Sequence, residues 1–217
     1  MSAAKKVTLF VDVVSPFAYE AFHILRNDAA FRNVQVTYVP IFLGGLMKAC
    51  GNTAPIQIKN KDKWVNRERV RWAQAFAIPM TAASPPDFPP NTVHVMRVLC
   101  QIASQDQLAQ TLARLFHALW VEHRAVASAD VFAPVLREVL GPAEAERVLA
   151  AATTTGKATL KENTDRAFAA GAFGLPWMEC TNSAGATEGF WGVDHLGQVL
   201  QFLGLEKPSQ GGWKSVL

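Results

Sequence analysis

The sequence predicts an α/β protein: a small sheet built from both ends of the chain, with a large all-helical insertion between them. Three observations carry the prediction. The opening of the chain holds two strand-like runs around one helical run. From about Leu43 to Leu160 almost no strand signal occurs. The end of the chain then supplies a hairpin and a closing amphipathic helix.

Val7 to Val14 is β-branched and aromatic, the residue types that fit a pleated, mostly buried surface. Ser15 is a good N-cap, and Pro16 follows at the first helical position, where its missing N–H costs nothing. Phe17, Ala21, Ile24 and Leu25 recur at helical spacing. Val34 to Pro40 alternates apolar and polar residues and predicts the second strand. The handedness of such units makes this pair parallel, with the first strand central and its carboxyl end, at Ser15, opening into a cleft.

Helices are expected over roughly Lys61–Phe76, Thr92–Ser104, Gln107–Val121, Ala129–Leu140, Ala143–Ala152 and Lys157–Ala170. Ser84–Pro90 is proline-rich and reads as a loop between two of them. Pro176–Cys180 and Thr187–Trp191 predict two strands joined across Asn182-Ser183-Ala184-Gly185. Asp194–Leu203 predicts the closing helix, with Leu196, Val199, Leu200 and Leu203 on one face. This order is that of a thioredoxin-like domain. It would be discontinuous, from residues 1–50 and 156–217, around a helical insertion at 51–155.

The chain has 217 residues, half of them hydrophobic and 18% charged, enough for a substantial core. Its net charge of +3 is too small to imply nucleic acid, and no apolar run reaches the length of a membrane span. Cys50, Cys100 and Cys180 are an odd, scattered set without metal-ligand spacing, which favours reduced thiols inside a cell. The five histidines (His23, His94, His117, His123, His195) show no metal spacing either, so no metal is expected. Phe116 and Trp120, four apart on a helix, read as core.

Two places invite chemistry. At Ser15 the free N–H groups of a helix start meet a hydroxyl, an arrangement that holds an anion; the plainer reading is a helix cap alone. In Gly171-Ala172-Phe173-Gly174-Leu175-Pro176-Trp177, a proline opens a strand after two glycines. Only about 5–6% of X-Pro bonds in folded proteins are cis, which favours an ordinary trans bond. The thioredoxin-like order favours a cis-proline loop facing the first helix start instead. In that case the backbone of Leu175 would be free to pair with a peptide-like ligand.

Five segments carry a family resemblance: Asp12-Val13-Val14-Ser15-Pro16-Phe17, Gly45-Leu46-Met47-Lys48-Ala49-Cys50-Gly51-Asn52, Ala77-Ile78-Pro79, Gly171 to Pro176, and Phe190-Trp191-Gly192-Val193-Asp194. On these the chain resembles the kappa class of glutathione transferases, built on the disulfide-oxidoreductase variant of the thioredoxin fold. It is also similar to the sister family of 2-hydroxychromene-2-carboxylate isomerases, which shares the Ser-Pro-aromatic motif. The resemblance implies glutathione as co-substrate or cofactor, a small-molecule electrophile or a peroxide as second substrate, and a homodimer. It implies an intracellular location: cytoplasmic, mitochondrial or peroxisomal. The limited aromatic interleaving of the cationic run, at Trp64 and Trp72, gives no expectation of a nucleic-acid partner. The final Ser215-Val216-Leu217 lacks the central basic residue of a peroxisomal signal, and the amino end shows no clear transit peptide.

The resemblance makes Ser15 the residue that activates the glutathione thiol. It sets Pro16, Phe17, Asn52, Lys59, Lys61, Leu175, Pro176, Val193 and Asp194 around the tripeptide. Each has a plainer reading. Asn52 fits a turn after Gly51, Asp194 an acid at the start of the closing helix, and the run Lys59–Arg71, with its six cations, a solvated helix face. Two residues depart from the family pattern: Val193 stands for a serine and His195 for an arginine, which weakens the expected grip on the glutamyl end. Nothing in Ser15-Pro16-Phe17-Ala18 can form a disulfide, so dithiol exchange is not expected. A non-catalytic protein binding glutathione or an extended peptide in the same cleft is the alternative of another class.

Overall fold

The structure is a computed structural model and describes residues 3–216. Met1, Ser2 and Leu217 lie outside it, and with them the extreme ends on which the targeting expectations rest. A four-stranded sheet of order β2-β1-β3-β4 is built from β1 (Lys6–Val11), β2 (Gln35–Pro40), β3 (Trp177–Thr181) and β4 (Thr187–Trp191). β1 is central, parallel to β2 and antiparallel to β3, and β3 pairs antiparallel with β4. The expected parallel pair and late hairpin are both present. The first strand stops at Val11, three residues short of the apolar run, because Asp12 turns the chain toward the next helix.

That helix, α1 (Pro16–Asn27), starts at the Ser15 cap, with Pro16 in its first turn. Then come α2 (Leu43–Ala49), α3 (Lys61–Ala75), α4 (Val93–Leu99), α5 (Gln105–Trp120), α6 (Ala129–Leu140), α7 (Pro142–Ala151), α8 (Thr155–Ala169) and, after the hairpin, α9 (Leu196–Phe202). α2 has no counterpart in the sequence reading, since Gly44 and Gly45 dilute its helical signal. The helix expected over Thr92–Ser104 is only seven residues long. Apolar spacing continues through Ile102, but Gln101 and Ile102 donate to Val98 and Leu99, three residues back, and this tighter winding ends the helix. Ser104 then caps α5, its Oγ accepting from the Gln107 N–H at 3.3 Å. The closing helix starts two residues later than expected, behind a 3₁₀ turn at Val193–His195.

One core runs through the sheet and the helices, with Phe10, Phe22, Phe116, Trp120 and Phe132 wholly buried. No helix among the described residues is long and apolar enough to cross a membrane. Where α8 packs on α4, a Cβ at Gly156 would sit 2.7 Å from the backbone oxygen of Arg97. Helix propensity alone favours alanine over glycine by about 1 kcal/mol. Overpacking against a backbone oxygen, which cannot rotate away, costs about 1–3 kcal/mol. Gly156→Ala should therefore lower stability in urea unfolding by up to about 2 kcal/mol, and a more stable variant would contradict this packing.

Candidate active site

The strand register brings the candidate residues to one end of the sheet. Phe10 pairs with Trp177, and Trp177 with Trp191. The carboxyl end of β1, the amino end of β3 and the carboxyl end of β4 therefore meet, followed or preceded by Ser15, Leu175-Pro176 and Gly192 to Asp194. The Gly192 N–H donates to Pro176 C=O at 3.1 Å, and the Ile41 N–H to Val11 C=O at 2.9 Å, which adds the start of α2 to this end.

Ser15 is 4% exposed. Its Oγ accepts from the Ala18 N–H at 3.1 Å, its own N–H donates to Asp12 C=O, and its C=O accepts from Tyr19. The cap reading is thus correct, and it leaves a function open. An oxygen that accepts from a backbone amide is a better donor through its own hydrogen. That hydrogen has no acceptor among the described residues, and the Phe17 N–H has no partner either. A hydroxyl and an amide at the positive end of a twelve-residue helix are both free to donate.

The Leu175–Pro176 bond is cis. Neither the N–H nor the C=O of Leu175 has a hydrogen-bond partner among the described residues, although the residue is 6% exposed. Asn52 ties this loop down: its Nδ2 donates to Phe173 C=O at 2.7 Å, and the Cys50 thiol lies 3.7 Å from the same oxygen. Asn52 therefore positions the proline loop, a role beyond the turn reading.

Asp194 belongs to the 3₁₀ turn before α9 and caps nothing with its side chain. Its Oδ1 lies 3.2 Å from His195 Nδ1. It also folds back over Gly192, where a Cβ would come within 2.2 Å of it. Gly192 has φ 95°, so both its backbone and its contact with Asp194 demand glycine. The Val193 side chain is buried in the core. Lys59 and Lys61 are exposed, and their side chains make no hydrogen bond or ion pair with the described residues; no contact joins them to the other candidates.

Three buried polar residues near this end are not singled out by the sequence reading. Asp12 is wholly buried: Oδ1 accepts from Val14 N–H (3.2 Å) and Thr92 Oγ1 (2.7 Å), and Oδ2 from Leu43 N–H (3.0 Å). Burial raises its carboxyl from 3.8 to about 6, against the pull of those three bonds. An aspartate inside an apolar run was the available signal. Glu20, one turn into α1, is fully buried with both oxygens unpaired, and burial holds its carboxyl well above the usual range despite the nearby Arg69 charge.

Arg69 corrects the view of the cationic run as a wholly solvated face, because it is 2% exposed. Its guanidinium donates to Asn66 Oδ1 and to the backbone oxygens of Thr81 and Ala82, and it lies over Trp120. Trp120 in turn donates to Val13 C=O at 3.1 Å, two residues before Ser15. Nothing in the spacing of the run distinguishes Arg69 from its neighbours.

Cys100 and Cys180 are pushed up to about 12 by burial, far from a reactive thiolate. Among the described residues no group of His, Cys, Asp and Glu is arranged to hold a metal ion. Two grooves open elsewhere, one of about 680 Å³ along α3 and one of about 500 Å³ beside β2.

Residues 6–204 match the DSBA-like thioredoxin domain family. Among curated proteins, the chain is 29% identical to glutathione S-transferase kappa 2 of Caenorhabditis elegans over 212 residues, covering 94% of this chain and 93% of that one. It is 28% identical to glutathione S-transferase kappa 1 of Rattus norvegicus over 211 residues, covering 93% and 92%. A solved structure of 2-hydroxychromene-2-carboxylate isomerase superposes with a TM-score of 0.79 at 24% identity, covering 92% of this chain and 94% of that one.

Proposed function

The chain belongs to the DSBA-like thioredoxin domain family, and from that premise we propose that it is a glutathione transferase of the kappa type. The observation that carries the reading is the set of unspent donors and acceptors at one sheet end: the Ser15 hydroxyl, the Phe17 N–H and the backbone of Leu175. A tripeptide thiolate needs those groups. Leu175 would pair with the peptide backbone of glutathione, as an added strand pairs with a sheet edge. Asp194 would meet its ammonium, and Lys59 or Lys61 its carboxylates.

Ser15 would donate to the sulfur. The thiol proton leaves to solvent, and the sulfur lone pair attacks the electrophile while the leaving group departs with its electrons. A serine here has no sulfur for a mixed disulfide, which argues for transfer over dithiol exchange. The near full-length similarity to two kappa transferases supports the same choice.

Calorimetric titration with glutathione tests the reading. Binding in the micromolar to millimolar range is expected, with conjugation of a chlorodinitrobenzene electrophile by the bound form. Absence of binding at millimolar glutathione would overturn it. Isomerisation of a hydroxychromene carboxylate without conjugation would instead assign the site to a glutathione-dependent isomerase. Binding without turnover of either substrate would leave only a glutathione-binding protein.

A further inference from the structure

At the outer edge of β2, alternate backbone groups meet three different fates. Gln35 N–H donates to Lys5 C=O and Ile41 N–H to Val11 C=O, so the odd-numbered residues of β2 face β1. The even-numbered residues, Val36, Tyr38 and Pro40, turn their backbone groups outward. Pro40 has no N–H, and its oxygen accepts from Asn163 Nδ2 at 3.0 Å. Tyr38 is paired by one side-chain amide: Gln105 Oε1 accepts from its N–H at 2.8 Å, and Gln105 Nε2 donates to its oxygen at 3.3 Å. Gln105 thus imitates one peptide unit of an added strand. Val36 has no such partner among the described residues, and it lines the groove of about 500 Å³.

That groove lies between the end of α1, the edge of β2 and the start of α5. Its volume falls within the ~300–1,000 Å³ typical of small-ligand clefts. Arg26 crosses it, with Nη1 donating to Ala109 C=O at 3.1 Å. Arg32 is exposed and makes no hydrogen bond or ion pair with the described residues through its side chain. Asp28, between them, already accepts from Ala30 N–H and from Trp213 Nε1. Asp28 keeps its negative charge, but its two oxygens are turned to those donors, and among the described residues neither arginine forms an ion pair with it or with Asp106, the acid opposite on α5.

We propose that this groove binds a short extended peptide with a free carboxyl terminus, whose backbone pairs with Val36 and whose carboxylate meets Arg32 and Arg26. The occupant is short because the edge is closed on both sides. Gln105 occupies Tyr38, and toward the other end Val34 N–H is already bonded to Phe31 C=O. A second copy of the chain, which would need a longer run of open backbone, does not fit that gap. This site shares no residue with the Ser15 end and stands whether or not the transferase reading holds.

The test is an amide-resolved NMR titration of the full chain with acetyl-Ala-Val-Val carrying a free carboxylate, against the same peptide carboxamidated. Saturable shifts are expected at Val34, Val36, Gln105 and Gln110, with the carboxamide at least about tenfold weaker, the size of a lost charge-assisted hydrogen bond. Arg32→Ala, an exposed change that leaves the fold intact, should weaken the acid form to the level of the amide. Val36→Pro, which removes one outward N–H at an edge where proline is tolerated, should abolish the shifts while circular dichroism stays unchanged. Shifts confined to Ser15, Asn52 and Leu175, or none at millimolar peptide, would overturn the proposal. So would equal affinity for acid and amide.

Discussion

Replacing Ser15 by alanine is expected to raise the pKa of the bound glutathione thiol and to slow conjugation at neutral pH, with little change in affinity. A free thiol has a pKa of about 8.5, so roughly 3% is thiolate at pH 7. One hydrogen bond to a charged acceptor contributes about 1.5–3 kcal/mol, and a helix terminus about 0.3–1 kcal/mol. At about 1.36 kcal/mol per pKa unit, these place the bound thiol about one to three units lower. The hydroxyl supplies the larger part. Ser15→Ala should therefore cost about 10–100-fold in kcat/KM at pH 7, recovered as pH rises toward the free thiol value.

Because Ser15 also caps α1, the alanine should destabilise the fold by about 1 kcal/mol, which confuses a single measurement. Ser15→Gly separates the two roles, since glycine caps a helix within a few tenths of a kcal/mol of serine but donates nothing. Ultraviolet thiolate absorbance against pH reads the effect directly. If glycine and alanine variants both titrate as the parent protein does, Ser15 has no part in activating sulfur.

Ser15 was legible because a cap, a following proline and the end of an apolar run are local signals, and the structure keeps all three. The hairpin and the middle helices other than α2 and the overextended α4 are legible for the same reason. What local pattern does not carry is the pairing of distant groups. Asn52 looked like a turn residue, and its bond to Phe173 spans 121 positions. Arg69 looked like one cation among six, yet it alone of the run turns inward, where Thr81 and Ala82 offer carbonyls. Glu20 sits beside apolar residues of α1 and has no partner that a sequence could reveal. Periodicity locates elements, and buried polar groups then decide how those elements lock at one end of the sheet.

Asp12 is where that locking should be measurable. Its carboxylate joins the end of β1 to the start of α2 and to Thr92 before α4. The folded-state pKa is about 6, against 3.8 for the ordinary group. The folded protein therefore binds this proton more tightly than the unfolded chain does. The contribution is fully present below about pH 3.8 and is lost as pH rises through about 6; two units correspond to about 3 kcal/mol.

Asp12→Asn keeps an acceptor for Val14 and Thr92 and cannot titrate. The difference in stability between parent and asparagine variant should change by about 2 kcal/mol between pH 4 and 7, a difference from which the other carboxyls, Glu20 included, cancel. Asp12→Ala removes the charge as well, but it leaves three buried donors without an acceptor at about 1–3 kcal/mol each. At a mid-range cost of about 2 kcal/mol per donor that loss is about 6 kcal/mol, against the ~3 kcal/mol recovered by removing a buried charge, so alanine should be about 3 kcal/mol less stable at pH 7. Urea unfolding at the two pH values decides it. A parallel pH course for parent and asparagine variant, or an alanine variant as stable as the parent, would remove Asp12 from the lock.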